Sequence, residues 1–157
     1  MKINIKLTFV FLVCLLFMFL NPYKIIVVKG QSMYPTYKDG QVIFAKKFNS
    51  INKGDIVIAR NDLGEIIIKR VKYVPGDYYY HYLTRMQDGT SEIYFLDNSY
   101  KLISTFKDNN KDVLLIENKV PLKQYFLMGD NVDNSDDSRR FGSLNLSDIL
   151  YKVVKWS

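Results

Sequence analysis

The sequence has few of the residues on which disulfide, zinc and histidine chemistry depend. Its 157 residues include one cysteine, Cys14, which lies within an apolar run. An intrachain disulfide and a zinc site built from thiolates are therefore excluded. The single histidine, His81, stands in an aromatic run, and a Ser-His-Asp triad would have to recruit it. Catalysis by histidine is therefore disfavoured.

Runs of basic residues, internal repeats and low-complexity segments are also missing. The net charge is +6, but the lysines and arginines are spread along the chain, which argues against a nucleic-acid partner. For a chain held at a membrane, this modest positive charge favours contact with anionic lipid head groups. The length suits one domain with a short appendage.

An apolar run near the N-terminus predicts a membrane anchor. Residues 7–20 carry no charge and follow a basic start, as in a secretory signal peptide, but no small-x-small cleavage site follows them. The run is shorter than the about 20 apolar residues of a typical span. Flanking lysines can snorkel, however, and Tyr23 suits the membrane interface. We expect a cytoplasmic segment at 1–6, a single uncleaved anchor at 7–23 and an extracytoplasmic domain at 24–157.

The rest of the chain predicts a mostly β fold. Short segments rich in β-branched and aromatic residues are separated by Gly, Pro, Asn and Asp, and no helical period is long enough for a soluble helix. The longest strand signal runs from 65 to 74 and ends at the turn residues 75–77. We interpret residues 78–120 as an insertion or small β subdomain. Strands are predicted at 23–28, 41–44, 56–59, 65–74, 93–95, 113–116, 125–128 and 151–156.

The segment from Gly30 to Thr36 predicts a rigid turn that carries a serine. Gly30 permits a sharp change of chain direction, and Pro35 restricts its own backbone and that of the preceding residue. Ser32 and the flexible apolar Met33 lie between them. This arrangement suits a nucleophile at the edge of an apolar surface. It also suits an ordinary turn serine that caps its own backbone.

Lys69 is the next residue that could carry chemistry. Strand alternation places it on the face of Ile67 and Val71, and places Arg70 on the opposite face. One of these two adjacent cations must therefore face apolar surroundings. A lysine that loses hydration has a lowered pKa and can act as a general base, whereas an arginine stays protonated. The alternative is a solvated lysine on an exposed strand face.

The polar stretch 129–142 has acidic side chains at alternate positions. A calcium loop needs glycine at its sixth position and glutamate at its twelfth, and this stretch fails that pattern. A second interpretation is a loop whose short polar side chains cap their own backbone. That loop could also serve a catalytic site, with Ser135 positioning an amine and Asp137 pairing with Arg139.

Three segments in this order resemble the bacterial type I signal peptidases, which are membrane-anchored Ser/Lys proteases. Ser-Met-x-Pro-Thr is matched at 32–36, and Lys-Arg followed by Pro-Gly-Asp is matched within 69–77. Gly-Asp-Asn-x-Asp-Asn-Ser-x-Asp-Ser-Arg is matched at every fixed position of 129–139. The resemblance covers nearly the whole chain. It implies an antiparallel-sheet catalytic domain of the compact form seen in Gram-positive members, with no metal or cofactor.

The resemblance also implies a role for each matched residue. Ser32 would be the nucleophile, Lys69 the general base and Ser135 the residue that orients the lysine amine. The Ser32 backbone N–H would donate to the oxyanion. Some relatives have a serine at the position of Gly30 whose hydroxyl is a second donor, so that donor stays unidentified here. The supporting residues would be Asp137, Arg139 and Arg70, and the site would be lined by Gly30, Met33 and Pro35.

The implied function is removal of signal peptides from exported preproteins after a small-x-small site, at the cell membrane. The implied partners are these preproteins and the lipid bilayer, with no nucleic acid. A self-cleaving Ser/Lys repressor shares the chemistry, but it needs an N-terminal DNA-binding domain where this chain has an apolar run. A catalytically retired homologue that assembles surface proteins should have lost Ser32 or Lys69, and both are present.

Overall fold

The computed structural model describes residues 6, 8–13, 22–85, 91–96 and 113–154, with the backbone alone at 82–85, 91–96 and 113–115. The described residues form ten strands. They are β1 Tyr23–Val27, β2 Val42–Lys46, β3 Ile56–Arg60, β4 Ile66–Tyr73, β5 Tyr78–Arg85, β6 Ser91–Leu96, β7 Val113–Lys119, β8 Gln124–Met128, β9 Leu144–Asn145 and β10 Ile149–Val153.

Seven of these strands form the main sheet, in the order β1-β2-β10-β3-β4-β8-β9. Every pairing in it is antiparallel. The prediction of a mostly β, antiparallel fold is thereby confirmed. The last strand begins at Ile149, two residues before the predicted start, and β9 was not predicted because two residues are too few to show alternation.

The middle of the main sheet is buried on both faces, which explains the continuous apolar run of β3. Ile56 and Ile58 pack into one buried cluster, and Val57 and Ala59 pack into another on the opposite face. Strands buried on both faces read as unbroken hydrophobic runs rather than as an alternating pattern. The sheet is therefore a stable platform for the loops at its ends.

A second, three-stranded sheet of order β6-β5-β7 lies within the predicted insertion at 78–120. It joins the main sheet through aromatic side chains. Tyr79 of β5 lies against Tyr73 and Phe126, with ring centroids 5.7 and 4.6 Å away. Aromatic pairs at these separations contribute roughly 0.5–1.5 kcal/mol each beyond the area that they bury.

The predicted anchor at 7–23 falls largely outside the described residues. Residues 8–13 are α-helical and exposed, and Tyr23, the last residue of the predicted anchor, is instead the first residue of β1. Among the residues that the structure describes, no helix has the length and apolar character needed to cross a membrane. The predicted cytoplasmic segment is described only at residue 6.

Neighbouring strands of the main sheet bring the lysine segment and the loop after β8 together, whereas the serine turn follows β1, which neighbours neither of these strands. β1 leads into the turn that carries Ser32, and β4 carries Lys69 and Arg70. β4 pairs with β8, with Arg70 opposite Met128. The loop that contains Ser135 begins directly after β8, so the pairing of these two strands places its first residues beside the lysine strand.

Candidate active site

Gly129 is the point at which two of the predicted site segments meet. It is buried directly after β8, beside the backbone of Ser32 and the side chain of Ser135. A Cβ atom added to Gly129 would lie 2.5 Å from the Ser32 carbonyl oxygen and 2.6 Å from the Ser135 Cβ. Real Cβ atoms do not approach other atoms this closely, so only glycine permits the present packing.

The predicted turn around Ser32 is confirmed. The Tyr34 N–H donates to the Gln31 carbonyl at 3.0 Å, and the Tyr34–Pro35 peptide is cis. Gly30 has a φ of +80°, which suits glycine, and its N–H donates to the Asp39 carboxylate at 2.8 Å. That N–H is thus already engaged within the turn.

Met33 fixes this turn to the core. Its side chain is 1% exposed and packs in a cluster that includes Val28, Ile43 and Ile56. Ser32, one residue earlier, is partly exposed. Because burial of a methionine side chain is worth about 1.5–3 kcal/mol, the core holds the turn while its serine stays accessible.

Lys69 is 4% exposed, so it is the one of the two adjacent cations that is buried. It lies opposite Val57 in β3 and shares its face with Val71, and both of these valines are fully buried. Burial lowers the pKa of the Lys69 amine, and the carboxylates of Asp137 and Asp136 oppose this effect only in part. The lowered pKa favours a neutral amine, which can accept a proton.

Asp137 forms the centre of a hydrogen-bond network in the loop after β8. The Ser135 hydroxyl donates to it at 2.7 Å, and the Gly129 N–H donates at 3.0 Å. The Arg139 guanidinium donates to both carboxylate oxygens, at 2.8 and 2.9 Å. Burial alone would raise the pKa of Asp137, but the hydrogen bonds from Arg139, Gly129 and Ser135 hold it below its usual range.

We expect Asp137→Asn to destabilise the fold by about 3–5 kcal/mol, as for a broken buried ion pair. The Asp137 side chain is 0% exposed, so an amide there would place its own donor against the donors of Arg139 and Gly129. Urea unfolding measures the effect. The pKa of Asp137 is lower in the folded chain than in the unfolded chain. The extra stability of the wild-type chain over the variant should therefore be complete above the unfolded aspartate pKa, and it should be lost as the pH falls through the lower pKa of the folded chain.

The matched control is Asp136→Asn. Asp136 pairs with Arg140 at the surface, where both side chains are more than half exposed. Exposed ion pairs contribute little, so this change should leave the unfolding midpoint nearly unchanged. Equal midpoints for the two variants would contradict the structural role assigned to Asp137.

A second ion pair, between Arg70 and Asp130, was not predicted from the sequence. Arg70 Nε and Nη2 each donate to the Asp130 carboxylate at 2.7 Å, and Nη1 donates to the Gly54 carbonyl at 2.9 Å. The partners are 60 residues apart in the chain. The sequence offered two signals, a second cation beside Lys69 and an acidic residue beside Gly129, but nothing that paired them.

Asn131, the residue after this aspartate, holds the serine turn and was also missed. Its backbone N–H donates to the Ser32 carbonyl at 2.9 Å, and its side-chain Nδ2 donates to the Gln31 carbonyl at 3.1 Å. The loop after β8 therefore contacts the turn through main-chain and side-chain hydrogen bonds.

The structure does not join every predicted pair. In the part of the chain that it describes, no hydrogen bond links the Lys69 amine with the hydroxyl of Ser32 or of Ser135. Such contacts often tighten only when substrate is bound.

His81 lies in the second sheet beside Asn118, with 3.1 Å between Nδ1 and Nδ2. Three loop carboxylates, those of Asp130, Asp136 and Asp137, are each paired with an arginine.

Comparison with known proteins gives concordant results. The family described as "Signal peptidase, peptidase S26" matches residues 1–156. Signal peptidase I T of Bacillus subtilis (strain 168) is 36% identical, covering 87% of this chain and 72% of the relative. Signal peptidase IB of Staphylococcus aureus (strain N315) is 28% identical, covering 96% and 84% respectively.

One solved structure, a signal peptidase I from Enterococcus faecalis V583, covers 69% of this chain and 100% of its own. It is 24% identical with a TM-score of 0.41, which is too low to support a conclusion. The family match over almost the entire chain and the relative at 36% identity show the family of this chain. The chain therefore belongs to the peptidase S26 family of signal peptidases, and its similarity is to the type I enzymes.

Proposed function

We propose that the chain is a serine endopeptidase that removes signal peptides from exported preproteins, with Ser32 as nucleophile and Lys69 as general base. The observation that supports this most is the burial of Lys69 on an apolar strand face, with a lowered pKa. A neutral lysine can take a proton from a serine near neutral pH, and no histidine is then required.

Ser135 is the residue that orients the amine in this proposal. Its hydroxyl proton is donated to Asp137 at 2.7 Å, so its oxygen presents lone pairs to a donor. Asp137 is held by Arg139 and by the Gly129 N–H, which fixes the direction in which Ser135 points. A lysine N–H directed at Ser135 would have its own lone pair free for the nucleophile.

The proposed reaction has two steps. In the first, Ser32 Oγ attacks the scissile carbonyl as Lys69 takes its proton; the ammonium then protonates the leaving amine, and the mature protein departs. In the second, Lys69 takes a proton from water, which attacks the acyl-enzyme ester; the ammonium then returns the proton to Ser32 Oγ as the signal peptide leaves. The Ser32 N–H donates to the oxyanion in both steps. The Gly30 N–H is engaged by Asp39, so a second donor must be another group.

Strand β1 is the proposed docking edge for the substrate. Among the described strands it pairs with β2 alone, and it leads directly into the turn that carries Ser32. An extended peptide can add to such an edge through main-chain hydrogen bonds, while pockets for alternate side chains provide specificity. A requirement for small residues at the first and third positions before the cut would follow from shallow pockets at this edge.

The proposed location is the cell membrane, with residues 7–23 as a single anchor and the catalytic domain outside the cell. The supporting observation is an exposed apolar surface on β1 and β2, immediately after that segment. It includes Ile25, 69% exposed, together with Val27 and Val42, both more than half exposed. An apolar patch of this kind suits contact with the lipid interface.

Cleavage of a model preprotein tests the proposed function. The full chain in detergent should release a mature protein whose mass places the cut after a small-x-small site. Ser32→Ala should bind the preprotein and leave it intact. If the wild-type chain bound the preprotein without cutting it, the alternative of a retired homologue that acts as a binding factor would be favoured.

Cleavage activity should rise with pH through the pKa of Lys69, which lies below the ordinary lysine value of 10.5. The sign follows from the mechanism, because only the neutral amine accepts the Ser32 proton. A pH profile of kcat/KM measures this acidic limb. Since burial also lowers the pKa of His81, His81→Gln is the control, and it should leave the limb in place. A limb that moved or vanished in this variant would exclude Lys69 as the titrating group.

A further inference from the structure

We propose that Asn131 is a positioning residue for oxyanion binding, because its side chain fixes the orientation of the peptide group that carries the Ser32 N–H. This inference rests on the proposed function, in which that N–H donates to the oxyanion. It assigns a role in the reaction to a side chain outside the Ser/Lys pair.

Asn131 makes two hydrogen bonds to the turn that carries Ser32. Its Nδ2 donates to the Gln31 carbonyl at 3.1 Å, and its backbone N–H donates to the Ser32 carbonyl at 2.9 Å. The two carbonyls belong to successive peptide groups on either side of the Ser32 Cα. Asn131 thus holds the backbone on both sides of the proposed nucleophile.

Because of the geometry of the peptide group, the hydrogen bond from Asn131 Nδ2 to the Gln31 carbonyl also determines the direction of the Ser32 N–H, the proposed oxyanion donor. The Gln31 carbonyl and the Ser32 N–H belong to one peptide group, which is planar and trans. The C=O and N–H of such a group point in opposite directions. A hydrogen bond that fixes the direction of the Gln31 carbonyl therefore also fixes the direction of the Ser32 N–H.

The hydrogen bond from Asn131 to the Gln31 carbonyl also makes the Ser32 N–H a stronger donor. The Gln31 carbonyl accepts from Asn131 and, at 3.0 Å, from the Tyr34 N–H within the turn. Hydrogen bonds to a carbonyl polarise the whole amide, so the N–H at its other end becomes a better donor. The Tyr34 bond comes from the turn itself, whereas the Asn131 bond ties the peptide to the opposite loop.

Asn131 is itself well supported, as a positioning residue must be. The neighbouring Asp130 is held by two hydrogen bonds from Arg70 on β4, the strand that also carries Lys69. The Asn131 carbonyl accepts from the Asn134 N–H at 3.1 Å, which closes the loop on the other side. The orientation of the Ser32 N–H is thereby coupled to the strand of the general base.

Two substitutions test the role of the side chain while the Asn131 backbone N–H remains. Asn131→Ala removes the donor, and Asn131→Asp keeps the shape but presents a carboxylate to the Gln31 carbonyl. With a model preprotein we expect kcat to fall about 10- to 100-fold, less than the loss from deleting an oxyanion donor outright. KM, the thermal midpoint and the acidic limb of the pH profile should stay as in the wild-type chain.

A peptide aldehyde ending in alanine gives a readout that a purely structural role would not change. Its adduct with Ser32 places an oxygen at the oxyanion position, so its inhibition constant should weaken by the same factor as kcat/KM falls. The matched control, Asn49→Ala, changes an exposed asparagine on a surface connection and should match the wild-type chain in every assay.

Wild-type kcat and aldehyde affinity in both Asn131 variants would overturn the inference. So would a lowered kcat with unchanged aldehyde affinity, or a loss of activity that only accompanied a lowered thermal midpoint in both. The proposed function fails in a different way, by cleavage that persists in Ser32→Ala. The two failures are therefore distinguishable within one set of variants.

Discussion

Lys69→Met is expected to lower the rate of preprotein cleavage by roughly 10²- to 10⁴-fold, the usual contribution of a general base. Methionine has a similar length and fills the apolar site between Val57 and Val71, but it cannot accept a proton. Since burial of an amine is unfavourable, the fold should be as stable as the wild type or more so. Initial rates and thermal unfolding of the same preparation measure both effects.

Two further variants serve as controls for this prediction. Lys69→Arg keeps the positive charge but cannot lose it near neutral pH, so it should be as inactive as the methionine variant. Lys46→Met changes an exposed lysine on strand β2 and should leave the cleavage rate unchanged. Near-wild-type cleavage by either Lys69 variant would remove the general base from the mechanism.

Gly129→Ala is expected to lower kcat about 100-fold or more. The added methyl group would overlap the Ser32 carbonyl oxygen, which belongs to the backbone and cannot rotate away, as well as the Ser135 side chain. The turn that carries Ser32 must therefore move relative to the loop, and a displacement of about 1 Å can cost 100-fold in rate. Overpacking should also reduce the free energy of unfolding by about 1–3 kcal/mol.

The control variant Gly64→Ala separates the loss of activity from the loss of stability. Gly64 lies in the hairpin between β3 and β4 at a φ of +82°, and a Cβ there meets nothing within 4 Å. Its substitution should strain the backbone and lower stability by about 1–2 kcal/mol without a loss of activity. If Gly129→Ala also lost stability but kept its kcat, the contact of Gly129 with Ser32 would have no catalytic consequence.

The position of Lys69 could be predicted because strand alternation is a local property. Two adjacent cations on a strand point to opposite faces, so one of them had to face apolar surroundings, and of the two only a lysine could then serve as a base. The turn at Gly30 and Pro35 was predictable for the same reason, since both residues restrict the chain through their own covalent structure. The order of the three segments then indicated the family.

Contacts between distant segments could not be predicted in this way. Arg70 meets Asp130 across 60 residues, and Asn131 meets Gln31 across 100 residues. Each contact depends on the order of strands in the sheet, which no local pattern specifies. No local pattern predicted that Gly129 would lie against Ser32 and Ser135.

The sequence showed no helical period long enough for a soluble helix, and the described part of the domain contains a single α-helical turn. Residues Ser138–Phe141 form a four-residue α-helix, and the Asp137 side chain caps it by accepting from the Arg139 N–H. A single turn is too short to show a 3.6-residue period. A short polar residue at the start of a helix is a typical N-cap, and this signal was hidden among the many Asp, Asn and Ser residues of the loop.

The most direct test of the Ser/Lys mechanism is the site of covalent labelling by an acylating, serine-directed probe. After incubation at a pH where Lys69 is neutral, digestion and mass analysis should place one acyl group on Ser32. Excess preprotein should protect that site, and Ser32→Ala and Lys69→Met should remain unlabelled. Acylation at another residue, or undiminished preprotein cleavage by the unlabelled Ser32→Ala chain, would contradict the mechanism.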